Sequence, residues 1–343
     1  MNVLVTGSEG YIGSVLCERL QQLKFDVVGL DTDYYCGCDF KKHTGPRRII
    51  KKDIRKISRS DVEGIDAIIH LAALSNDPMG DLNPQLTRDI NCNASVALAQ
   101  LAKTVNVKRF IFSSSCSMYG LAGEGAVNEE SPLMPLTEYA RSKVETEKII
   151  ARMADENFSP VFLRNATVYG VSERLRVDLV VNNLTAWAFT TGKIKIMSDG
   201  SPWRPLIHIR DICDAFIAVL TADKELIHSQ AFNVGKNSEN YQVRDIAALI
   251  KKKLPGCSIE FTGEHGSDSR SYKVDFTKIE QTLGNLFKPG RNVEQGIDEL
   301  ISKFKKNNFT YDDFMSERFT RLKRIKHLLE SKEVDEHLYW RKP

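Results

Sequence analysis

A glycine triplet set between a β-branched run and a helical period constrains this chain more than any other feature. Val3 to Val5 leads directly into Gly7-Ser8-Glu9-Gly10-Tyr11-Ile12-Gly13, after which Ile12, Val15, Leu16, Leu20 and Leu23 recur on one helix face. A strand that turns at once into a helix needs glycine so that backbone N–H groups can approach a pyrophosphate with no side chain in the way. The flanking strand and helix separate this turn from a chance glycine triplet. Gly7, Gly10, Tyr11, Ile12 and Gly13 are therefore expected to contact a dinucleotide.

The rest of the first half keeps the same rhythm. Val27 to Leu30, Arg48 to Ile50, Ala67 to Leu71, Arg109 to Ser113 and Val161 to Leu163 lack polar alternation, which predicts strands buried on both faces. Val96, Leu98, Leu101, Ala102 and Val105 mark a further helix face. The expected fold is α/β, a Rossmann-type doubly wound parallel sheet with a smaller C-terminal α/β substrate lobe. Three regions follow: a dinucleotide-binding domain carrying the catalytic residues over 1–170, a mainly substrate-binding lobe over 171–307, and a charged helical tail over 308–343. Phe232 to Val234 is expected to return to the main sheet. In the tail, Phe319, Leu322, Ile325, Leu328 and Leu329 have the spacing of an amphipathic helix that packs on the body or on a partner subunit.

Asp31 closes the second strand. A carboxylate there accepts hydrogen bonds from both ribose hydroxyls and repels a 2′-phosphate, and no Arg or Lys follows it before Lys41. NAD is expected rather than NADP.

Charge narrows the partner classes. Forty-eight Lys and Arg against 45 Asp and Glu leave a net charge of +3 over 343 residues, too even for a nucleic-acid or membrane-surface binder. An anionic ligand must be held by a few local cations. The N-terminus carries no signal-like pattern and no run is long enough to cross a bilayer, so a cytoplasmic protein is expected. Its seven cysteines are odd in number and scattered, which favours reduced thiols. Cys36 and Cys38 with His43 fall short of a zinc ligand set, and no metal is expected.

The G-x-x-G-x-x-G spacing resembles that of the extended short-chain dehydrogenase/reductases, and further matches follow in order along nearly the whole chain. Lys52-Asp53-Ile54 is similar to the family's pair at the adenine, giving Asp53 and Ile54 to the cofactor. His70-Leu71-Ala72-Ala73 resembles the segment that passes beneath it, and Asn91 matches an asparagine that holds a helix bend near the catalytic residues. Phe112 to Gly120 is similar to the S-S-x-x-x-Y-G block. That match places Ser113 at the cofactor and Ser115 at both the reacting hydroxyl and the substrate.

Tyr139-Ala140-Arg141-Ser142-Lys143 is a Y-x-x-x-K pair. Alone it is a common surface pattern, although four residues on a helix do put both side chains on one face. Tyrosine ionises near pH 10 in water, so it needs a neighbouring cation to act as a base at neutral pH. The resemblance makes Ser115, Tyr139 and Lys143 a catalytic trio, with Tyr139 and Lys143 also touching the cofactor.

The same resemblance implies a nucleotide-diphosphate sugar as substrate and a homodimer as the assembly. Arg204, in a segment similar to R-x-Y-I-H-V-x-D, and Arg270 would hold the diphosphate; Asn182, beside Asn183, and Thr167 would contact the sugar. His208 is expected to be a packed strand residue.

Nucleotide-sugar dehydratases of this family place Asp-Glu after the catalytic Ser or Thr, where this chain has Cys116-Ser117. A serine hydroxyl is a feeble base, so proton abstraction from carbon is poorly supported and hydride chemistry at sugar C4 remains. A 4-epimerase of the UDP-glucose type that passes through a 4-keto intermediate is the first expectation. A C4 dehydrogenase or ketoreductase stays open, because Glu173 to Asp178 resembles a run in nucleotide-heptose C4 dehydrogenases. A non-catalytic NAD-binding regulator is a third possibility, which the presence of the whole trio disfavours.

Overall fold

The computed structural model describes residues 1–41, 45–46, 48–75, 83–263 and 270–341. The first half alternates β1 (Asn2–Thr6), α1 (Tyr11–Gln22), β2 (Asp26–Asp31), β3 (Arg48–Lys51), β4 (Ala67–His70), α2 (Ala94–Thr104), β5 (Arg109–Ser115), α3 (Glu138–Ala151) and β6 (Ser159–Asn165). Beyond it come β7 (Thr167–Tyr169), α4 (Val180–Thr191), β8 (Trp203–His208), α5 (Ile209–Thr221), β9 (Ala231–Val234) and α6 (Arg321–Glu330).

Seven of these strands form one sheet in the order β9-β6-β5-β4-β1-β2-β3. All its pairings are parallel. The chain starts in the middle of the sheet, runs to one edge and then crosses to the other side, which opens a crevice at the carboxyl ends of β1 and β4.

Successive side chains of a strand point to opposite faces, and the core divides accordingly. Val3, Val5, Ile69 and Ile111 face the layer containing Leu16, Leu20 and Phe216. Leu4, Ile68, Phe110 and Phe112 face the layer containing Leu98 and Ile150. Helix α5, although late in sequence, therefore belongs to the main sheet's covering beside α1.

The second half of the chain is built from short pairings. β7 and β8 run parallel, and Lys193–Ile196 pairs with Ser258–Phe261. The same half also holds the helices Val180–Thr191, Ile209–Thr221 and Val243–Lys253.

The tail packs on the body. Ile325 and Leu328 of α6 join the same apolar layer as Leu98 and Phe110. Burying each of those side chains is worth about 1.5–3 kcal/mol, enough to hold a charged helix in place.

All seven cysteines are free thiols, and among the described residues no three His, Cys, Asp or Glu side chains cluster as metal ligands. His43 lies outside the described residues. No helix among them is long and apolar enough to cross a membrane.

Candidate active site

The crevice holds a cavity of about 730 Å³ that runs from the glycine turn to the start of α3. At the turn, Gly7 has a φ of +71°, and a Cβ on it would stand 2.9 Å from the backbone nitrogen of Ala72. A Cβ on Gly13 would lie 2.0 Å from the Gly7 carbonyl oxygen. Gly10 closes the turn by donating its N–H to that carbonyl and caps α1 without a side-chain hydrogen bond. The first N–H groups of α1 are thus left for a ligand, and a pyrophosphate fits them. Gly13→Ala is expected to force the turn open, cost about 1–3 kcal/mol and yield nucleotide-free protein. Thermal melting with quantitation of released nucleotide checks both effects.

Asp31 lines the cavity while its carboxylate accepts the N–H groups of Glu9 at 2.9 Å and Asp33 at 2.8 Å. Burial pushes its pKa up to about 6, against the pull of those two hydrogen bonds. Hydrogen bonds from ribose hydroxyls would favour the ionised form further.

Asp53 and Ile54 also line the cavity, and the Asp53 carboxylate caps the turn after it and pairs with Arg55 at 2.6 Å. Leu71, Ala72 and Ala73 form the floor. Beneath them His70 is bonded to Thr6 at 2.6 Å and Ser95 at 2.7 Å. Burial, with Lys143 nearby, takes its pKa down to about 3, so it is a neutral packing residue.

At the other end Ser113, Ser115, Tyr139, Lys143 and Thr167 share the cavity wall. Strand β5 runs two residues further than expected, so Ser115 sits at its very tip. Thr137 caps α3 by accepting the Ala140 N–H, which fixes Tyr139 in the first turn. Lys143 lies one turn on and donates to the Ser113 carbonyl at 2.7 Å, with its ammonium 5.7 Å from the centre of the Tyr139 ring. Burial brings the Lys143 pKa down to about 7, and Glu147 opposes the shift.

Asn91 stands outside the cavity wall. It lies in a π-turn, Asp89–Asn93, accepts the Leu74 N–H at 2.8 Å and donates to the Leu74 carbonyl at 3.1 Å. It does not line the cavity itself but is bonded to Leu74, which does.

One further expectation needs correction. Asn182 is fully buried: its oxygen accepts the Gly170 N–H, and its amide donates to the Tyr11 hydroxyl and the Arg176 carbonyl. The neighbour that lines the cavity is Asn183. Tyr11 borders the cavity as expected, and its hydroxyl donates to the Gly170 carbonyl at 2.7 Å.

Arg204 and Arg270 both reach the cavity, and Arg204 donates to the Arg270 carbonyl at 2.5 Å. His208 is 1% exposed and packs at the end of β8, as expected.

Several wall residues were not foreseen as site residues: Ser114, Ser117, Asn165, Arg176 and Arg321. The hydroxyls of Ser114 and Ser117 and the side-chain oxygen of Asn165 are buried with no hydrogen-bond partner. Leaving each unsatisfied costs about 1–3 kcal/mol. Only serine repetition hinted at the first two, and nothing local marked Arg321.

Comparison with known proteins gives the family and the fold. A model of the "NAD dependent epimerase/dehydratase family" matches residues 3–235. A UDP-glucose 4-epimerase of Lactobacillus helveticus is 31% identical over 327 residues, covering 88% of this chain and 95% of that protein. Among solved structures, a UDP-glucuronic acid 4-epimerase from Bacillus cereus in complex with UDP-glucuronic acid and NAD is 25% identical. It covers 89% of this chain and 99% of its own, with a TM-score of 0.76. MoeE5 in complex with UDP-glucose and NAD is also 25% identical, over 90% of this chain and 100% of its own, with a TM-score of 0.78.

Proposed function

The chain belongs to the NAD dependent epimerase/dehydratase family, an enzyme family of the extended short-chain dehydrogenase/reductase type, and within it we propose a nucleotide-sugar 4-epimerase that works through a transient 4-keto intermediate. The observation that carries this reading is the absence, among the described residues, of a carboxylate able to act on the sugar. The cavity's three aspartates are Asp31, Asp53 and Asp178. The first two lie with β2 and the Arg55 turn, at the adenosine end. Asp178 is locked to Arg176 at 2.9 Å; burial opposes its ionisation, but the guanidinium wins and holds its pKa below the usual range. Where dehydratases have Asp-Glu, this chain presents Cys116, buried with its thiol on the Arg164 carbonyl, and the Ser117 hydroxyl.

The chemistry then runs through the trio. Tyr139 as phenolate accepts the proton of the C4 hydroxyl, while Ser115 donates a hydrogen bond to that oxygen. Bound NAD supplies the hydride acceptor and, for the return step, the donor. Lys143, anchored by the Ser113 carbonyl, keeps positive charge beside the phenolate. Tyr139 returns its proton when the carbonyl is re-reduced on the other face. Arg204 and Arg270 hold the diphosphate by charge-assisted bonds that leave the sugar free to turn. Ser114, Ser117 and Asn165 offer hydrogen bonds to its remaining hydroxyls.

Incubating the purified enzyme with a panel of nucleotide hexoses and following products by mass and NMR tests the reading. The expected product is an isomer of unchanged mass, formed without added cofactor. Loss of two hydrogens with accumulating NADH would replace epimerisation by dehydrogenation, and loss of water would restore a dehydratase. The homodimer and cytoplasmic location implied by the family belong to the same proposal, and sedimentation of the pure protein tests the first.

A further inference from the structure

Three arginines converge at the outer wall of the cofactor end, and two have carboxylate partners. Arg174 contacts Asp33 at 3.2 Å and Glu9 at 3.5 Å, and Arg176 contacts Asp178 at 2.9 Å. Arg321, the first residue of α6, makes no ion pair among the described residues, and the Asp178 carboxylate that acts on it is already paired with Arg176. It is 2% exposed, its guanidinium lies 4.0 Å over the Tyr35 ring, and it donates from Nη2 to the Arg174 carbonyl at 2.9 Å. Its Nη1 is buried without a hydrogen-bond partner, on the cavity wall. A buried guanidinium nitrogen left without a hydrogen-bond partner is costly. Burial pushes the Arg321 pKa down and Arg176 adds to the shift, while Tyr35 and the Asp178 carboxylate oppose it without restoring the ordinary value.

The tail that carries Arg321 is tied to the loop after β2, which borders the adenosine end. Arg318 donates to the Asp39 carbonyl at 3.1 Å and Arg324 to that of Tyr34 at 3.2 Å. Tyr34 in turn donates to the Leu338 carbonyl at 2.5 Å, and Trp340 to the Thr32 carbonyl at 2.7 Å.

We propose that the C-terminal segment is a clasp over the cofactor, with Arg321 as its ligand to a diphosphate, that of the bound dinucleotide. The glycine turn supplies N–H groups to one side of the pyrophosphate, and Arg321 supplies the missing cation from the other. The clasp must lift for the dinucleotide to leave, which keeps NAD resident through the proposed oxidation and re-reduction. The inference rests on NAD occupying this cavity, not on the stereochemical outcome at C4.

The test uses the full chain carrying Arg321→Met or Arg321→Lys, with binding of ADP, adenosine and UDP to nucleotide-stripped protein measured by calorimetry. Arg321→Met is expected to weaken ADP binding by about ten- to a hundred-fold, the worth of a charge-assisted hydrogen bond, while adenosine and UDP bind as before. Arg321→Lys should fall between. With each stripped protein as its own reference, the methionine variant should gain less melting temperature on adding NAD than the wild type does. Undiminished ADP affinity in Arg321→Met would overturn the clasp alone, and a loss confined to UDP would reassign Arg321 to the sugar nucleotide and overturn it equally. Failure of wild-type protein to bind ADP would overturn the cofactor assignment as well.

Discussion

Tyr139→Phe will retain NAD and lose turnover by about 10²–10⁴-fold, the range expected for removing a general base. The ring stays in place, so the first turn of α3, capped by Thr137, and the Lys143 bond to the Ser113 carbonyl are undisturbed. What disappears is the oxygen that takes the hydroxyl proton. Ser115 cannot replace it, because a serine hydroxyl has no basic partner here: its Oγ accepts the Ser117 N–H at 3.1 Å. Single-turnover formation of NADH from the enzyme-bound cofactor, measured beside the NAD content of the same preparation, separates the two effects. A variant that binds NAD normally and turns over at the wild-type rate would remove Tyr139 from the mechanism.

Glu147→Gln is expected to destabilise the fold by about 3–5 kcal/mol, the cost of breaking a buried ion pair from one side. Glu147 and Arg164 join α3 to β6 with Nη2 to Oε2 at 2.9 Å, and both side chains are less than one-tenth exposed. Arg164 also donates to the Tyr119 hydroxyl and to the Glu129 carbonyl, each at 3.2 Å. Burial works against the guanidinium, but Glu147 holds its pKa above the ordinary value. Without the carboxylate, a buried cation remains. Glu147 follows Lys143 by one helical turn and opposes the downward shift of its pKa, so the variant should also make the Lys143 ammonium easier to deprotonate. Denaturant titration gives the first quantity and the pH profile of the single-turnover step the second. The double variant Glu147→Leu/Arg164→Leu should recover much of the lost stability, because it leaves no unpaired charge. If it were no more stable than Glu147→Gln, helix packing rather than the ion pair would be holding α3.

Placements that depend on near neighbours were legible before the fold was known. The glycine turn is one case: Gly13 is needed because its own neighbour, the Gly7 carbonyl, stands where a Cβ would go. Tyr139 and Lys143 are another, since helix geometry alone brings positions four apart to one face. The parallel sheet follows from apolar runs with no polar alternation, each of which must be covered on both sides. Ser115 was found through the family pattern at the end of such a run.

Asn182 and Asn183 could not be told apart in that way. Adjacent residues on a helix point about 100° apart, and only the position of Gly170, Tyr11 and the Arg176 carbonyl decides which one is enclosed and which one meets the cavity.

Arg321 is the extreme case. Along the chain it is one basic residue in a charged tail, indistinguishable from Lys323 or Arg324. Helical spacing determined that the tail would turn an apolar face to some surface, because Ile325 and Leu328 need burial. Which surface, and therefore that an arginine would be carried into the cofactor cavity beside Tyr35, was decided by tertiary packing alone: burial depends on contacts between distant segments, which local spacing does not encode.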